Sequence, residues 1–166
     1  MNPLYKYYLY DDKEIDEFVN KYYEGEIADC YNKLNIIVAK VDFWRYLILY
    51  KYGGIYVDMD SSINKDLDKL IKENDQAIIS AESHFNSYVQ WGLIFSKEHP
   101  ILRKTIDLIV ENIKNGKKYY ILQIFGALLN TQPYGGFNFD GELSNDFKNQ
   151  NNLITKIEEL RNDYDY

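Results

Sequence analysis

Apolar and polar positions alternate along this chain in two rhythms. Ile15, Phe18, Val19 and Tyr22 recur three and four residues apart, which predicts an amphipathic helix over residues 12–23. Asp11 stands at its N-cap position and Glu14 three residues on, the signature of a reciprocal capping box. A second helical stretch covers residues 27–34, with Cys30 as a small buried side chain. The longest apolar run, residues 36–52, carries Val41, Trp44, Ile48 and Tyr52 at helical spacing. It ends on Gly53-Gly54, a pair able to take the left-handed backbone that closes a helix and reverses the chain. Ile55-Tyr56-Val57 then reads as a short strand, residues 77–81 and 92–96 as buried strands, and residues 5–10 as an aromatic-rich strand. Further helices are predicted over residues 67–73, 100–115 (closed by Gly116), 119–130 and 153–161, with a glycine-bearing loop over 131–141. Short strands alternating with longer helices predict an α/β fold in a single domain spanning residues 1–166.

Composition narrows the function classes. A single cysteine excludes an internal disulfide and any multi-cysteine metal centre. Twenty-six acidic against nineteen basic residues give a formal charge of -7, so the long-range field repels nucleic acid, and a phosphate-bearing ligand needs local cations. Residues 1–6 show neither the basic start nor the apolar run of a leader peptide, and no stretch approaches the roughly 18 apolar residues of a membrane span. The expectation is a soluble, cytoplasmic protein. The 16% aromatic share reads first as core filling and biased residue usage, and only second as a surface for stacking sugars.

The candidate chemistry sits just after the Ile55-Tyr56-Val57 strand. Asp58 and Asp60, one residue apart, project to the same side of a regular strand, about 7 Å apart along the chain. At an effective dielectric near 20, such a pair repels by on the order of 2 kcal/mol, which a divalent cation reverses. Oxygen ligands of this kind suit Mg²⁺ or Mn²⁺, with water and substrate phosphates completing the shell. On the preceding helix Asp42 and Arg45 are three residues apart and share a face. They can form an ordinary intrahelical ion pair, or Arg45 can hold a diphosphate or sugar hydroxyl.

The run from Ala39 to Asp60, with Asp42, Arg45-Tyr46, Leu49-Tyr50, Gly53-Gly54-Ile55-Tyr56, Asp58 and Asp60 at fixed spacing, resembles the sugar-binding region of glycosyltransferase family 32. Weaker likeness extends to the N-P-L-Y-K-Y-Y-L-Y-D-D opening and to G-L-I-F-S-K-E-H-P-I-L at residues 92–102. The resemblance implies a GT-A-like nucleotide-diphospho-sugar transferase fold, abbreviated at the N-terminus. It also implies metal-dependent transfer of a sugar, usually with retention, from a UDP- or GDP-sugar to a glycan or protein acceptor. By the same resemblance Asp60 and Arg45 are catalytic, and Asp42, Arg45, Tyr56 and Asp58 bind the donor. Asp58 and Asp60 would hold Mn²⁺ or Mg²⁺. The sequence departs from the family in three places: the usual I-P-K-I-I-H-x-x-W strand is not present, no histidine segment is recognisable in residues 161–166, and Gly126-Ala127 replaces G-P.

Lesser candidates are His99 (helix capping or catalysis), His84 in a polar loop, Gln90 and Trp91 facing the acceptor, and Asp140 as a lid residue. Two other readings are weighed. Asp58 to Ile63, D-M-D-S-S-I, shares a pattern with HAD-type phosphatases, which leaves Asp42, Arg45 and the glycine pair unexplained. The other is a non-catalytic relative that binds a nucleotide or glycan.

Overall fold

The computed structural model describes residues 2–82, 87–116 and 156–157. The predicted helix at 119–130, the loop at 131–141 with Asp140, and His84 lie outside them. Helices α1 (Asp12–Tyr22), α2 (Glu26–Asn32) and α3 (Ile37–Tyr52) lead into strand β1 (Gly54–Val57). The short helix α4 (Leu67–Leu70) follows, then strands β2 (Ala77–Glu82) and β3 (Ser87–Phe95), helix α5 (Pro100–Lys114) and the two-residue strand β4 (Lys156–Ile157). The sheet order is β1-β3-β2-β4, antiparallel at β1/β3 and β3/β2 and parallel at β2/β4. No described helix is long and apolar enough to cross a membrane.

Alternation along the strands divides the core. Ala77, Ile79, Leu93 and Phe95 join the main cluster with Phe18, Phe43, Leu47 and Ile106 from the helices. Ile78, Ile94 and Ile55 point to the opposite face, where Leu67, Leu70 and Tyr5 cover them. Helix α3 is central and buried on nearly every side, with Asp42 and Arg45 buried among its apolar neighbours. The expected separation of a polar face from a core face is therefore not seen there. Cys30 is buried against α5, its thiol facing the Val110 carbonyl.

Local signals were accurate where the chain closes its own hydrogen bonds. The Asp11 carboxylate accepts from the Glu14 amide at 2.8 Å, and the Glu14 carboxylate accepts from the Asp11 amide at 2.9 Å. The buried His99 ring caps α5, accepting from the Ile101 amide at 3.2 Å, with Pro100 opening the helix.

Three expectations are corrected. Residues 5–10 form no strand of the sheet: Tyr7, Tyr8 and Leu9 are exposed, and the segment is instead anchored by side chains. Buried Asn2 bonds the Lys65 carbonyl and the Leu67 amide, and the Tyr5 hydroxyl donates to Asp68. Helix α4 stops at Leu70 rather than 73, because the Asp75 carboxylate takes the Lys72 amide into a turn. Within the predicted helix at 153–161, Lys156 and Ile157 pair with Ile78 and Ile79 as a strand.

Strand β3 begins earlier than predicted and is irregular. Ile79 pairs with Leu93, yet Ala81, two residues on, pairs with Tyr88, five residues back. Three extra residues are thus carried by β3 between those pairs, in the Val89–Gly92 stretch, as a bulge beside the end of β1.

Gly53 joins α3 to β1 at φ +66° and ψ -165°, a region that is essentially glycine-only. A Cβ there would lie 2.6 Å from the Lys97 amide nitrogen, because the turn after β3 runs beneath the helix end and Glu98 donates its amide to the Tyr50 carbonyl. Gly53→Ala is expected to destabilise the fold by about 3 kcal/mol or more. Gly116→Ala, also at positive φ but facing open space, is expected to cost about 1 kcal/mol. Urea unfolding of both variants checks this, and equal losses would remove the clash from the account.

Candidate functional site

The site is built where α3, β1 and the β3 bulge meet. Arg45 is 5% exposed and its guanidinium touches all three. Nη2 lies 2.6 Å from Asp42 Oδ1 on α3 and 3.5 Å from Asp58 Oδ1 just past β1. Nη1 donates to the Gln90 carbonyl at 2.9 Å. The guanidinium carbon sits 4.9 Å from the centre of the Tyr56 ring, a cation–π contact inside a desolvated site. Tyr56 donates its hydroxyl to Asp58 Oδ1 at 2.5 Å.

The sequence-predicted residues Asp42, Arg45, Tyr56 and Asp58 are therefore brought into one network. The intrahelical ion pair between Asp42 and Arg45 forms within it. Asp42 is raised above the ordinary carboxylate range by burial, which Arg45 opposes and Asp58 reinforces. Burial likewise raises the Tyr56 phenol, opposed by Arg45 and reinforced by Asp58, so this ring stays a neutral donor at physiological pH. Trp44 extends the site with aromatic contacts to Tyr10 at 5.1 Å and to Tyr56 at 6.2 Å. The Trp44 Nε1 and Arg45 Nε atoms are buried without a hydrogen-bond partner among the described residues.

Asp60 is placed differently from the strand expectation. β1 ends at Val57, and Asp58 to Ser61 form a turn in which the Ser61 amide donates to the Asp58 carbonyl at 3.0 Å. Two-residue alternation does not apply inside a turn. The Asp58 side chain, 32% exposed, faces inward to Arg45 and Tyr56, while Asp60 is exposed. The pair offers only carboxylate oxygens, the donor type that Mg²⁺ and Mn²⁺ take. No group of three or more histidine, cysteine or acidic side chains suited to a metal occurs among the described residues.

Gln90 does not face an acceptor. It is 9% exposed, its side-chain Oε1 accepts from the Tyr46 hydroxyl, and its Nε2 donates to the Tyr88 carbonyl at 3.1 Å. The next residue, Trp91, gives its carbonyl to the Asp58 amide at 2.9 Å. Gln90 and Tyr46 were missed as supports of the site. Tyr46 stands beside Arg45 in the motif and Gln90 is a polar residue inside an apolar run, but nothing in the sequence shows that the two meet.

Removing Arg45 leaves Asp42 as a buried, unpaired carboxylate. Arg45→Met is expected to cost about 3 kcal/mol of stability, measured by chemical unfolding, and Asp42→Leu added to it is expected to restore most of that loss. Failure of the double variant to recover would mean that stacking on Tyr56, rather than charge pairing, dominates.

Comparison with known proteins follows this geometry. Residues 1–77 match the model of the glycosyltransferase sugar-binding region containing DXD motif. An initiation-specific alpha-1,6-mannosyltransferase of Candida albicans is 27% identical over 150 residues, covering 75% of this chain and 39% of that protein. Inositol phosphoceramide mannosyltransferase 3 of Schizosaccharomyces pombe is 32% identical over 106 residues, covering 64% of this chain and 29% of that protein. The chain thus spans well under half the length of these relatives. Among solved structures, PaToxG Glycosyltransferase aligns with a TM-score of 0.53 at 22% identity, over 69% of this chain and 42% of that one. This likeness supports the α/β, GT-A-like fold. Residues 1–77 are thus similar to the DXD-containing sugar-binding region of glycosyltransferases, and the mannosyltransferase relatives share that likeness.

Proposed function

We propose that this chain, acting as one domain, is a metal-dependent glycosyltransferase that moves a sugar, with retention, from a UDP- or GDP-sugar to a glycan or protein acceptor. The observation that carries the reading is Arg45, a buried cation in an acidic protein, fixed beside Asp58 at the carboxyl end of β1. Ligands of α/β sheets settle at such strand ends.

In this reading Asp60 and Asp58 hold Mn²⁺ or Mg²⁺, which when bound neutralises the diphosphate of the donor. The chain's own residues do the rest. As the bond between the anomeric carbon and the diphosphate oxygen breaks, negative charge collects on the departing nucleoside diphosphate. Arg45 places a fixed positive charge near that oxygen, with little reorganisation because its partners already hold it. Asp42 and Asp58 keep the guanidinium in place, and in this reading Asp42 and Arg45 also bind donor hydroxyls. Tyr56, a neutral phenol donating to Asp58, keeps one carboxylate oxygen turned inward and offers its ring to the ribose.

The test is nucleoside diphosphate release from a panel of UDP- and GDP-sugars with Mn²⁺. Turnover is expected to stop on addition of EDTA and to fall at least about 100-fold, roughly 2.7 kcal/mol at the transition state, in Asp60→Asn. Tight nucleotide binding with no turnover across the panel would identify a binding protein instead. Phosphate release from simple monoesters would favour phosphatase chemistry.

A further inference from the structure

Arg45 and Tyr46 are consecutive on α3, and both end on one residue of β3. Arg45 Nη1 donates to the Gln90 carbonyl at 2.9 Å, and the Tyr46 hydroxyl donates to the Gln90 side-chain Oε1. Tyr46 is fully buried and Gln90 nearly so. Gln90 lies inside the β3 bulge, between the pairs Ile79–Leu93 and Ala81–Tyr88. In a regular ladder a main-chain carbonyl at this position would face a neighbouring strand, whereas residues displaced by a bulge have carbonyls free for other donors. Two successive carbonyls of this stretch serve the site: that of Gln90 takes Arg45, and that of Trp91, continuing the β1/β3 register past Val57–Gly92, takes the Asp58 amide at 2.9 Å. The geometry of the arginine and of the turn bearing the two aspartates thus depends on one bulged backbone segment.

We infer that Gln90 is a positioning residue for Arg45 and Asp58, and that Tyr46 is its anchor. A bulge carrying three extra residues has several backbone paths open to it, and its carbonyls aim at the site only in one. The Gln90 side chain selects that path. Its Nε2 bonds the Tyr88 carbonyl within β3 at 3.1 Å, and its Oε1 is held from α3 by the Tyr46 hydroxyl. The amide thereby ties the bulge to the helix that bears Arg45, so the guanidinium and the carbonyl that receives it move as one unit. Neither Gln90 nor Tyr46 need touch substrate for this. The catalytic consequence rests on the transferase reading above, but the positioning itself does not.

Two substitutions separate this role from a purely structural one. Tyr46→Phe deletes only the hydroxyl, and Gln90→Met keeps the length of the side chain while removing both polar atoms. The sequence holds three arginines, Arg45, Arg103 and Arg161, so the Arg45 Nε–H resonance can be assigned by comparison with Arg103→Lys and Arg161→Lys. In ¹H–¹⁵N spectra of the full chain, both Tyr46→Phe and Gln90→Met are expected to shift or broaden the Arg45 Nε–H signal. They should leave that of Arg103, paired with Asp107 on the outer face of α5, unmoved. An Arg45 signal unchanged in both variants overturns the inference whether or not the chain turns over a sugar nucleotide. With a turned-over donor, both variants are expected to lower kcat about 10-fold while KM for the donor changes less than about 3-fold. Adding either to Arg45→Lys is expected to give little further loss. Equal loss of thermal stability with kcat unchanged would assign Gln90 to packing alone. Absence of turnover in the wild-type chain, together with a shifted Arg45 signal, would sink the transferase reading and leave the positioning role standing.

Discussion

Burying a guanidinium sets the terms for this fold. Removing Arg45 from water costs several kcal/mol unless its charge and its donors are matched. The matching is distributed: a carboxylate from its own helix, another from just past β1, a main-chain carbonyl from β3 and an aromatic face from β1. The adjoining α3 and β1 and the later strand β3 must therefore sit in one mutual arrangement before the arginine can be enclosed. The two apolar clusters on either side of the sheet supply the enclosure, and the arginine supplies the register.

The same arrangement holds a buried cation in place within an acidic chain. Most charged side chains among the described residues are exposed, where water screens them. At the Arg45 site the dielectric is lower, and of the two aspartates that neutralise the arginine Asp42 is buried while Asp58 is partly exposed. Asp58 faces inward and Asp60 faces solvent because a turn, rather than a continued strand, carries them. Two carboxylates on one short segment thereby take different surroundings and different partners.

How much of this could be read from the sequence depends on how far each interaction reaches. The capping box of α1, the His99-Pro100 start of α5 and the glycine stop after α3 are satisfied by neighbours along the chain, and each was legible. The Asp42, Arg45, Gly53-Gly54, Asp58 and Asp60 spacing was legible as a pattern, since helix and strand geometry bring those positions level with one another. The remainder needed partners that periodicity does not encode. Residues 5–10 have strand composition but hold to the body through Tyr5, Asn2 and the Tyr10–Trp44 ring contact. The bulge is visible only when β3 is paired with β2, and so the inward turn of Gln90 was missed. The burial of Asp42 and Arg45 was missed for the same reason, because an i, i+3 pair looks identical on an exposed face.

Helix α3 has almost no free side, and its far end is pinned where the Gly53 backbone passes close to Lys97. Rotation by a single residue, about 100° for an α-helix, would swing Arg45 away from every group that receives it. Such a helix has little latitude for gradual change. Latitude for change in this region is left to its exposed connections, among them the turn that carries Asp60, while the middle of the helix must stay almost untouched.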